Sequence, residues 1–184
     1  VEHWSKNNYP AVLQSLLGDG YCVNNYGFSG GTASDRGDSP YRRKRVYRDS
    51  LAFRPNIVVL MLGTNDAKPQ NWRGAKAYSN DLNELITAYS TLPSHPVVCI
   101  LAPPPVWDMG GHGVGYDIDG RVLKEELYPA VSELAGREKV WYIDLQEALR
   151  EQPQLFWDGV HPNADGAKRI GELVYQKIKE RESV

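Results

Sequence analysis

The sequence Ile57-Val58-Val59-Leu60-Met61-Leu62 is an uninterrupted apolar run between Asn56 and Gly63. A strand whose two faces are both covered by helices shows a continuous run of this kind, whereas a half-exposed strand alternates apolar and polar residues. A second such run, Val97–Leu101, is followed closely by Pro103-Pro104-Pro105. The two runs therefore predict strands of a parallel sheet that is buried on both faces.

Amphipathic helices separate the predicted strands. Between the two apolar runs, apolar residues recur at the spacing of one helix face from Tyr78 to Tyr89. Alternating strands and helices predict a single α/β domain over residues 1–184, a three-layer, doubly wound parallel sheet of the flavodoxin type. The further predicted helices are Pro10–Leu17, Tyr41–Phe53, Val122–Leu134 and Ala167–Ile178, and the further strands are Tyr21–Tyr26 and Val140–Ile143.

The order of these elements is irregular at its beginning. The first predicted element is a helix, whereas the later helices alternate with strands. We therefore expect a first strand and its loop that this chain lacks, and a groove between the strands that precede Gly30 and Asn65. In such folds the functional site lies at the carboxyl ends of the strands, beside the switch point of the sheet.

The composition excludes several classes of function. A formal net charge of −2 gives no basic footprint for nucleic acid, and the basic run Arg42–Arg45 is better explained as a solvated helix face. No apolar run approaches the roughly 18 residues that a membrane span needs. Cys22 and Cys99 are interpreted as buried free thiols. No Cys/His cluster has the spacing of a zinc site, so no metal or other cofactor is expected. The cellular compartment stays open.

An aspartate and a histidine lie three residues apart in Trp157-Asp158-Gly159-Val160-His161-Pro162-Asn163, just before the last predicted helix. An imidazole becomes a general base when a carboxylate fixes its tautomer and stabilises its protonated form. The same spacing also fits a simple helix entry with an exposed His161. Asp158 and His161 are therefore candidate catalytic residues whose role depends on what else lies near them.

Two other segments follow predicted strands. Asn65, in Gly63-Thr64-Asn65-Asp66, directly follows the run 57–62, where its side-chain amide can donate a hydrogen bond to a developing oxyanion. Gly30 follows Tyr21–Tyr26 in a glycine-rich segment, which allows backbone N–H groups to approach a ligand closely. Each segment alone also fits an ordinary turn, and Asp66 is interpreted as structural.

Together the three segments resemble the SGNH (GDSL-like) hydrolases, which are serine esterases whose four signature blocks supply Ser, Gly, Asn and His. Gly30 matches the second-block glycine, a backbone oxyanion donor in that family, and Asn65 matches the third-block asparagine. Asp158 and His161 match the last block, Asp-x-x-His-Pro. The resemblance extends from Tyr21 to the last helix. Residues 64–72 further resemble bacterial members that act on acylated carbohydrates.

The first block of that family carries the nucleophilic serine after the first strand, and it is not found at the corresponding place here. Ser39, in Gly37-Asp38-Ser39, has the signature sequence but follows the second block without an apolar strand before it. Ser29 fits the Gly-x-Ser-x-Gly elbow of the α/β-hydrolases, but a turn-rich segment follows it where an elbow requires a helix. We therefore expect the nucleophile upstream of Val1 or on a separate fragment, with Ser29 and Ser39 as less favoured candidates.

The resemblance implies a metal-independent serine esterase that acts on small-molecule or carbohydrate esters, such as O-acetylated carbohydrate. Two alternatives remain open: a binding module that kept the cleft but lost the nucleophile, and an α/β-hydrolase-type esterase that uses Ser29. Neither a nucleic-acid partner nor a membrane span is expected. Three tryptophans near strand-end loops fit either a sugar-stacking pocket or ordinary packing: Trp72, Trp107 and Trp157.

Overall fold

The computed structural model describes residues 8–138 and 140–182. Its sheet has three parallel strands in the order β1 (Ile57–Leu60), β2 (Val97–Leu101) and β3 (Trp141–Ile143). Ile57 pairs with Val97, and Cys99 pairs with Trp141. The parallel pairing of the two apolar runs is therefore confirmed, and the chain has the predicted α/β fold.

Side chains of the sheet enter two different cores, one on each face. In β2, Val98 and Ile100 pack in one cluster with the helices on one side, whereas Cys99 and Leu101 pack in the other. This alternation within a continuous apolar run is the pattern expected of a strand in the middle layer. The helices are α1 (Tyr9–Leu17), α2 (Arg45–Ala52), α3 (Ala75–Ser90), α4 (Gly120–Val122), α5 (Tyr128–Glu138), α6 (Leu145–Leu149) and α7 (Ala164–Glu182).

Most predicted helices are present with shifted ends. The prediction Tyr41–Phe53 divides into a 3₁₀ turn at Tyr41–Arg43 and the helix α2, because Lys44 between them is extended. The prediction Val122–Leu134 is one helical stretch in which a π-helical segment, Leu123–Leu127, joins α4 to α5. Helix α6 was not predicted, since its five residues are too short to show a helical period.

The prediction of a strand at Tyr21–Tyr26 is wrong. A strand needs a neighbouring strand to pair its backbone groups, and among the described residues this segment has none. Side chains hold it instead: Gln14 of α1 donates to the Tyr21 carbonyl and accepts from the Val23 N–H, and Tyr41 donates to the Tyr26 carbonyl. The described chain therefore contributes three strands, not four. Cys22 in this segment is exposed rather than buried, whereas Cys99 is buried as expected.

A groove separates this segment from β1, as the sequence predicts. A cavity of about 790 Å³ is lined on one side by residues of 20–28 and on the other by residues 57–62. Strand β1 pairs with β2 along one edge, and no described residue pairs with its other edge. The backbone of β1 that faces the groove is thus an unpaired sheet edge.

A buried carboxylate ties the loop after the segment 21–28 to the loop after β1. Asp66 is 1% exposed, and its two oxygens accept the backbone N–H groups of Ala33 and Ser34 at 3.0 and 2.8 Å. Burial raises the pKa of Asp66 to about 6, although the two backbone hydrogen bonds lower it. Asp66, which the sequence indicated as structural, therefore fixes the position of Asn65, its neighbour, relative to Gly30.

This geometry predicts a pH-dependent contribution of Asp66 to stability. Because its pKa is raised in the folded state, the contribution is fully present below the unfolded value near 3.8 and is lost as the pH rises through about 6. We expect the free energy of unfolding of the wild type, relative to Asp66→Asn, to increase by about 2 kcal/mol as the pH falls from 7.5 to 4. Urea unfolding at several pH values measures this difference.

Asp38→Asn is the matched control, because Asp38 is an exposed aspartate that accepts a hydrogen bond from the Asn71 side chain. The stability of Asp38→Asn relative to the wild type is measured at each pH as the reference for an aspartate-to-asparagine change outside the core. If the Asp66→Asn difference is constant from pH 4 to 7.5, the buried carboxylate does not titrate as stated.

Candidate active site

The segment that carries Asp158 and His161 is a tight loop closed by its own backbone. Phe156 and Pro162 form an antiparallel bridge, and the Trp157 N–H donates to the His161 carbonyl at 3.2 Å. Gly159 has a φ of +81°, and a Cβ added there would lie 2.2 Å from the Trp107 carbonyl oxygen. Only glycine fits this position, because a side chain would clash with backbone.

Within this loop, the carboxylate of Asp158 holds the imidazole of His161. The Asp158 Oδ1 accepts the N–H groups of Val160 and His161 at 3.0 and 2.7 Å, and the Oδ2 lies 2.7 Å from His161 Nδ1. Burial raises the pKa of Asp158, but the hydrogen bonds from His161, Val160 and Tyr116 outweigh it and lower the pKa to about 2. Asp158 is therefore ionised at neutral pH.

The other ring nitrogen of His161 is accessible. The His161 side chain is 45% exposed, and its Nε2 has no hydrogen-bond partner among residues 8–138 and 140–182. A carboxylate on Nδ1 fixes the tautomer in which Nε2 carries the lone pair. The pair can thus accept a proton from a group that reaches Nε2.

Two aromatic rings flank this imidazole. The Trp157 ring stacks at 6.1 Å between centroids and is 61% exposed, and the Tyr116 ring meets the imidazole edge-on at 4.9 Å. The Tyr116 hydroxyl also donates to Asp158 Oδ2 at 2.8 Å. Sequence reasoning left Trp157 open between a pocket residue and ordinary packing. It missed Tyr116, which lies 42 positions from Asp158 in a loop without a motif.

The other two tryptophans are explained by packing. Trp107 contacts Phe156 at 4.9 Å between ring centroids, and Trp72 donates its indole N–H to Glu126. His112 is exposed in a loop whose backbone N–H groups, including its own, bind the Asp108 carboxylate. No hydrogen bond joins His112 to His161 in the described structure.

Asn65 lies in the loop after β1 with its side chain unengaged. Gly63 begins this loop at φ +137°, and a Cβ there would lie 2.8 Å from both Pro103 and the Tyr78 hydroxyl. The side chain of the buried Asn71 donates to the Asn65 carbonyl at 2.8 Å and fixes the backbone. The Asn65 side-chain amide is partly exposed and has no hydrogen bond to any described residue. It is free to donate to a ligand.

Gly30 lies in a turn in which the Gly31 N–H donates to the Phe28 carbonyl at 3.0 Å. Its φ of +77° is in the left-handed region, which favours glycine. The Gly30 N–H makes no hydrogen bond within the described ranges. The Gly30 N–H, like the Asn65 side-chain amide, is therefore a donor without an acceptor among the described residues.

Shared packing connects the three segments. Ala33, Ala67 and Val160, one from each segment, are buried in the same core cluster. The loop 107–119 bridges two of the segments, since the Asp119 N–H donates to the Ala67 carbonyl at 3.1 Å and the Trp107 N–H donates to the Gly159 carbonyl at 2.9 Å. The predicted site segments are therefore packed around one core.

Neither of the two candidate nucleophiles, Ser29 and Ser39, is hydrogen-bonded to His161 in the described part of the chain. Ser29 is exposed in the turn with Gly30, and its segment continues into an isolated bridge between Thr32 and Pro40 rather than into a helix. The Ser39 carbonyl accepts the Thr32 N–H at 3.0 Å. No hydrogen bond joins either hydroxyl to His161 within the described residues.

Residues 8–138 and 140–182 contain neither a metal-binding cluster nor a membrane-spanning helix. No group of three or more His, Cys, Asp or Glu side chains is arranged to hold a metal ion there. None of the helices in this part of the chain is long and apolar enough to cross a membrane.

Solved structures share this fold. A carbohydrate acetylesterase from Sinorhizobium meliloti, Est24, matches with a TM-score of 0.74 at 23% identity, covering 95% of this chain and 86% of that chain. An aryl esterase from M. smegmatis matches with a TM-score of 0.74 at 21% identity, covering 95% of this chain and 86% of its own. At these identities the likeness shows the fold alone.

Sequence comparison identifies relatives and the family. An acetylxylan esterase of Xylanibacter ruminicola is 34% identical over 97% of this chain and 40% of its own length. A multidomain esterase of Ruminococcus flavefaciens is 28% identical over 69% of this chain and 16% of its own length. The chain thus spans less than half the length of these curated relatives. The model of the GDSL-like lipase/acylhydrolase family matches residues 1–169, and the chain therefore belongs to that family.

Proposed function

We propose that this chain is the catalytic domain of a carboxylic-ester hydrolase that removes acyl groups from small esters such as O-acetylated carbohydrate. The observation that carries the proposal is the Asp158–His161 pair, in which the carboxylate bonds Nδ1 and the Nε2 is accessible. The names of the relatives, acetylxylan esterase and carbohydrate acetylesterase, support the substrate class.

In the proposed reaction, a serine hydroxyl attacks the ester carbonyl while His161 Nε2 accepts its proton. The tetrahedral intermediate collapses, and His161 returns the proton to the leaving alcohol, so that an acyl-serine remains. Water then repeats the sequence and releases the acid. Asp158 stays ionised and stabilises the imidazolium form, in keeping with its low pKa.

The oxyanion of each intermediate would be bound by donors that have no acceptor among the described residues. The Gly30 N–H and the Asn65 side-chain amide are two such donors, and the N–H of the serine itself would be the third. Preorganised donors of this kind stabilise charge that develops only in the transition state. Asp66 supports the arrangement, because it holds Ala33 and Ser34, which follow the glycine-rich turn, next to the Asn65 loop.

We propose that the serine is carried by a strand that occupies the groove between the segment 21–28 and β1, outside residues 1–184. The groove is bordered by an unpaired sheet edge, to which an extended peptide can add by backbone hydrogen bonds. The groove reaches Phe28 and Leu62, next to the loops of Gly30 and Asn65. A parallel strand in it would end beside the proposed oxyanion donors.

The binding-module alternative is the second candidate function. It is favoured by one observation, that neither Ser29 nor Ser39 is bonded to His161 in the described chain. Against it stands the ionised Asp158 with its bond to His161 Nδ1, since a binding site has no need of an oriented base. The α/β-hydrolase alternative is disfavoured because no helix begins after Ser29.

Labelling with a fluorophosphonate separates these candidates. We expect the full-length natural protein to be labelled stoichiometrically at one serine outside residues 1–184, because the phosphonate reacts only with an activated hydroxyl. Mass spectrometry of the labelled peptide identifies that serine. The controls are Ser29→Ala and Ser39→Ala in the full-length protein, which should be labelled like the wild type.

Three results would contradict the prediction of a single labelled serine outside residues 1–184. Label on Ser29 or Ser39 would show that the nucleophile lies within this chain, and robust ester hydrolysis by residues 1–184 alone would do the same. Absence of any label on the folded full-length protein would favour the binding module.

The oxyanion role of Asn65 gives a second prediction. Asn65→Ala should lower kcat for aryl acetates and acetylated xylan by about 10²–10³, with little change in KM, because one donor to the transition state is lost. Asn80→Ala is the matched control, since Asn80 is exposed on α3. An unchanged kcat for Asn65→Ala in a protein that hydrolyses esters would mean that Asn65 is not an oxyanion donor.

A further inference from the structure

Tyr116 and His161 share one oxygen of Asp158. The Tyr116 hydroxyl donates to Oδ2 at 2.8 Å, and His161 Nδ1 lies 2.7 Å from the same atom. The Oδ1 accepts two backbone N–H groups, from Val160 and His161. A carboxylate has about four lone-pair sites, and here four donors occupy them. Among the residues that the structure describes, Tyr116 is the one donor to this carboxylate from outside the loop 156–162.

Ordinary packing does not explain the conformation of Tyr116. Its side chain is 51% exposed, so its burial contributes little to the fold. Its backbone is left-handed at φ +64°, and that of Asp117 is left-handed at φ +58°, a conformation that is uncommon for residues other than glycine. Such conformations persist where the surrounding structure imposes them, and they concentrate at functional sites.

The loop around Tyr116 is anchored on both sides. Before it, the Asp108 carboxylate accepts the N–H groups of residues 110–113. After it, Ile118 is buried and the Asp119 carboxylate accepts the N–H groups of Arg121 and Val122 at the start of α4. The two anchors hold the left-handed pair between them and direct the hydroxyl towards Asp158.

We propose that Tyr116 is a positioning residue, which fixes the rotamer of Asp158 and limits how much negative charge the carboxylate presents to His161. The proposal rests on the proposed esterase function. A hydroxyl that donates to Oδ2 restrains the position of this oxygen and takes up part of its charge. The ring, edge-on to the imidazole, limits rotation of His161 on the same side.

Removing the hydroxyl should therefore have an electrostatic effect with a definite sign. With one donor fewer on Oδ2, Asp158 stabilises the imidazolium form more strongly, so that the imidazole holds its proton to a higher pH. The charged and titratable groups on the facing loop are Asp108, His112, Asp117 and Asp119. Of these, Asp108 and Asp119 are engaged by backbone N–H groups and do not change in the variant.

The test compares Tyr116→Phe, which keeps the ring, with Tyr128→Phe. Tyr128 donates its hydroxyl to Asp144 in the same chemical arrangement, without a hydrogen bond to Asp158 or His161. Imidazole C–H signals of the full-length protein are followed by NMR against pH, and the His161 signal is assigned with His161→Gln. We expect the pH dependence of the His161 signal to move to higher pH in Tyr116→Phe and to be the same in Tyr128→Phe as in the wild type.

Kinetics of ester hydrolysis by the full-length protein test the effect of Tyr116 on catalysis. Tyr116→Phe should move the acidic limb of kcat/KM to higher pH and lower kcat about 3- to 10-fold, with KM unchanged, because a hydrogen bond to a charged group is lost. An unmoved titration, or a rise in KM alone, would overturn the proposal. A moved titration in a protein that hydrolyses no ester would support the Tyr116 contact and overturn the proposed function instead.

Discussion

The parallel pairing of β1 with β2 puts the loop that carries Asn65 and the loop that contacts the Asp158 segment at the same end of the sheet. Because the two strands run in the same direction in register, the loops that follow them leave from one edge of the sheet. The β1 loop carries Asn65, and the β2 loop leads into the segment 107–119, which contacts the Asp158 loop. Gly63 has no Cβ, and this allows Pro103 of the second loop to pack closely against the first loop. A Cβ at position 63 would lie only 2.8 Å from Pro103. An antiparallel arrangement would have put these loops at opposite edges.

Two carboxylates organise the loops at this edge, and their surroundings give them opposite properties. Asp66 is buried and binds two neutral N–H groups, so that desolvation dominates and its pKa rises to about 6. Asp158 binds two N–H groups as well, but also the imidazole and the Tyr116 hydroxyl, so that its pKa falls to about 2. The depth of burial and the number of donors therefore decide together in which direction each pKa departs from that of an ordinary aspartate. A permanent charge suits a partner of a base, whereas Asp66 needs only its acceptor oxygens.

The sequence alone predicted the structural features that depend on local interactions or on a periodic pattern of apolar residues. The continuous runs at 57–62 and 97–101 identified buried parallel strands, and the spacing of Asp158 and His161 identified their hydrogen bond, because three residues span one tight loop. The sequence did not predict features that depend on a contact with a residue far away in the chain. Residues 21–26 have strand-like side chains, but a strand exists only with a neighbour. Tyr116 meets Asp158 through the fold alone, and the interruption at Lys44 shows in no periodic pattern.

The unpaired backbone of β1 and the unpaired donors of the site lie beside the same groove. The edge of β1 that faces the groove has backbone groups without partners in the described chain, and an unmade hydrogen bond of a buried group costs about 1–3 kcal/mol. The segment 21–28 across the groove is held by side chains of Gln14 and Tyr41 rather than by a ladder. The same groove reaches Phe28 and Leu62, beside the Gly30 and Asn65 donors. A strand that satisfied the backbone of β1 would therefore also bring its following residue to these donors. Sheet completion and delivery of a nucleophile would then be one event, and stability and activity would be gained together.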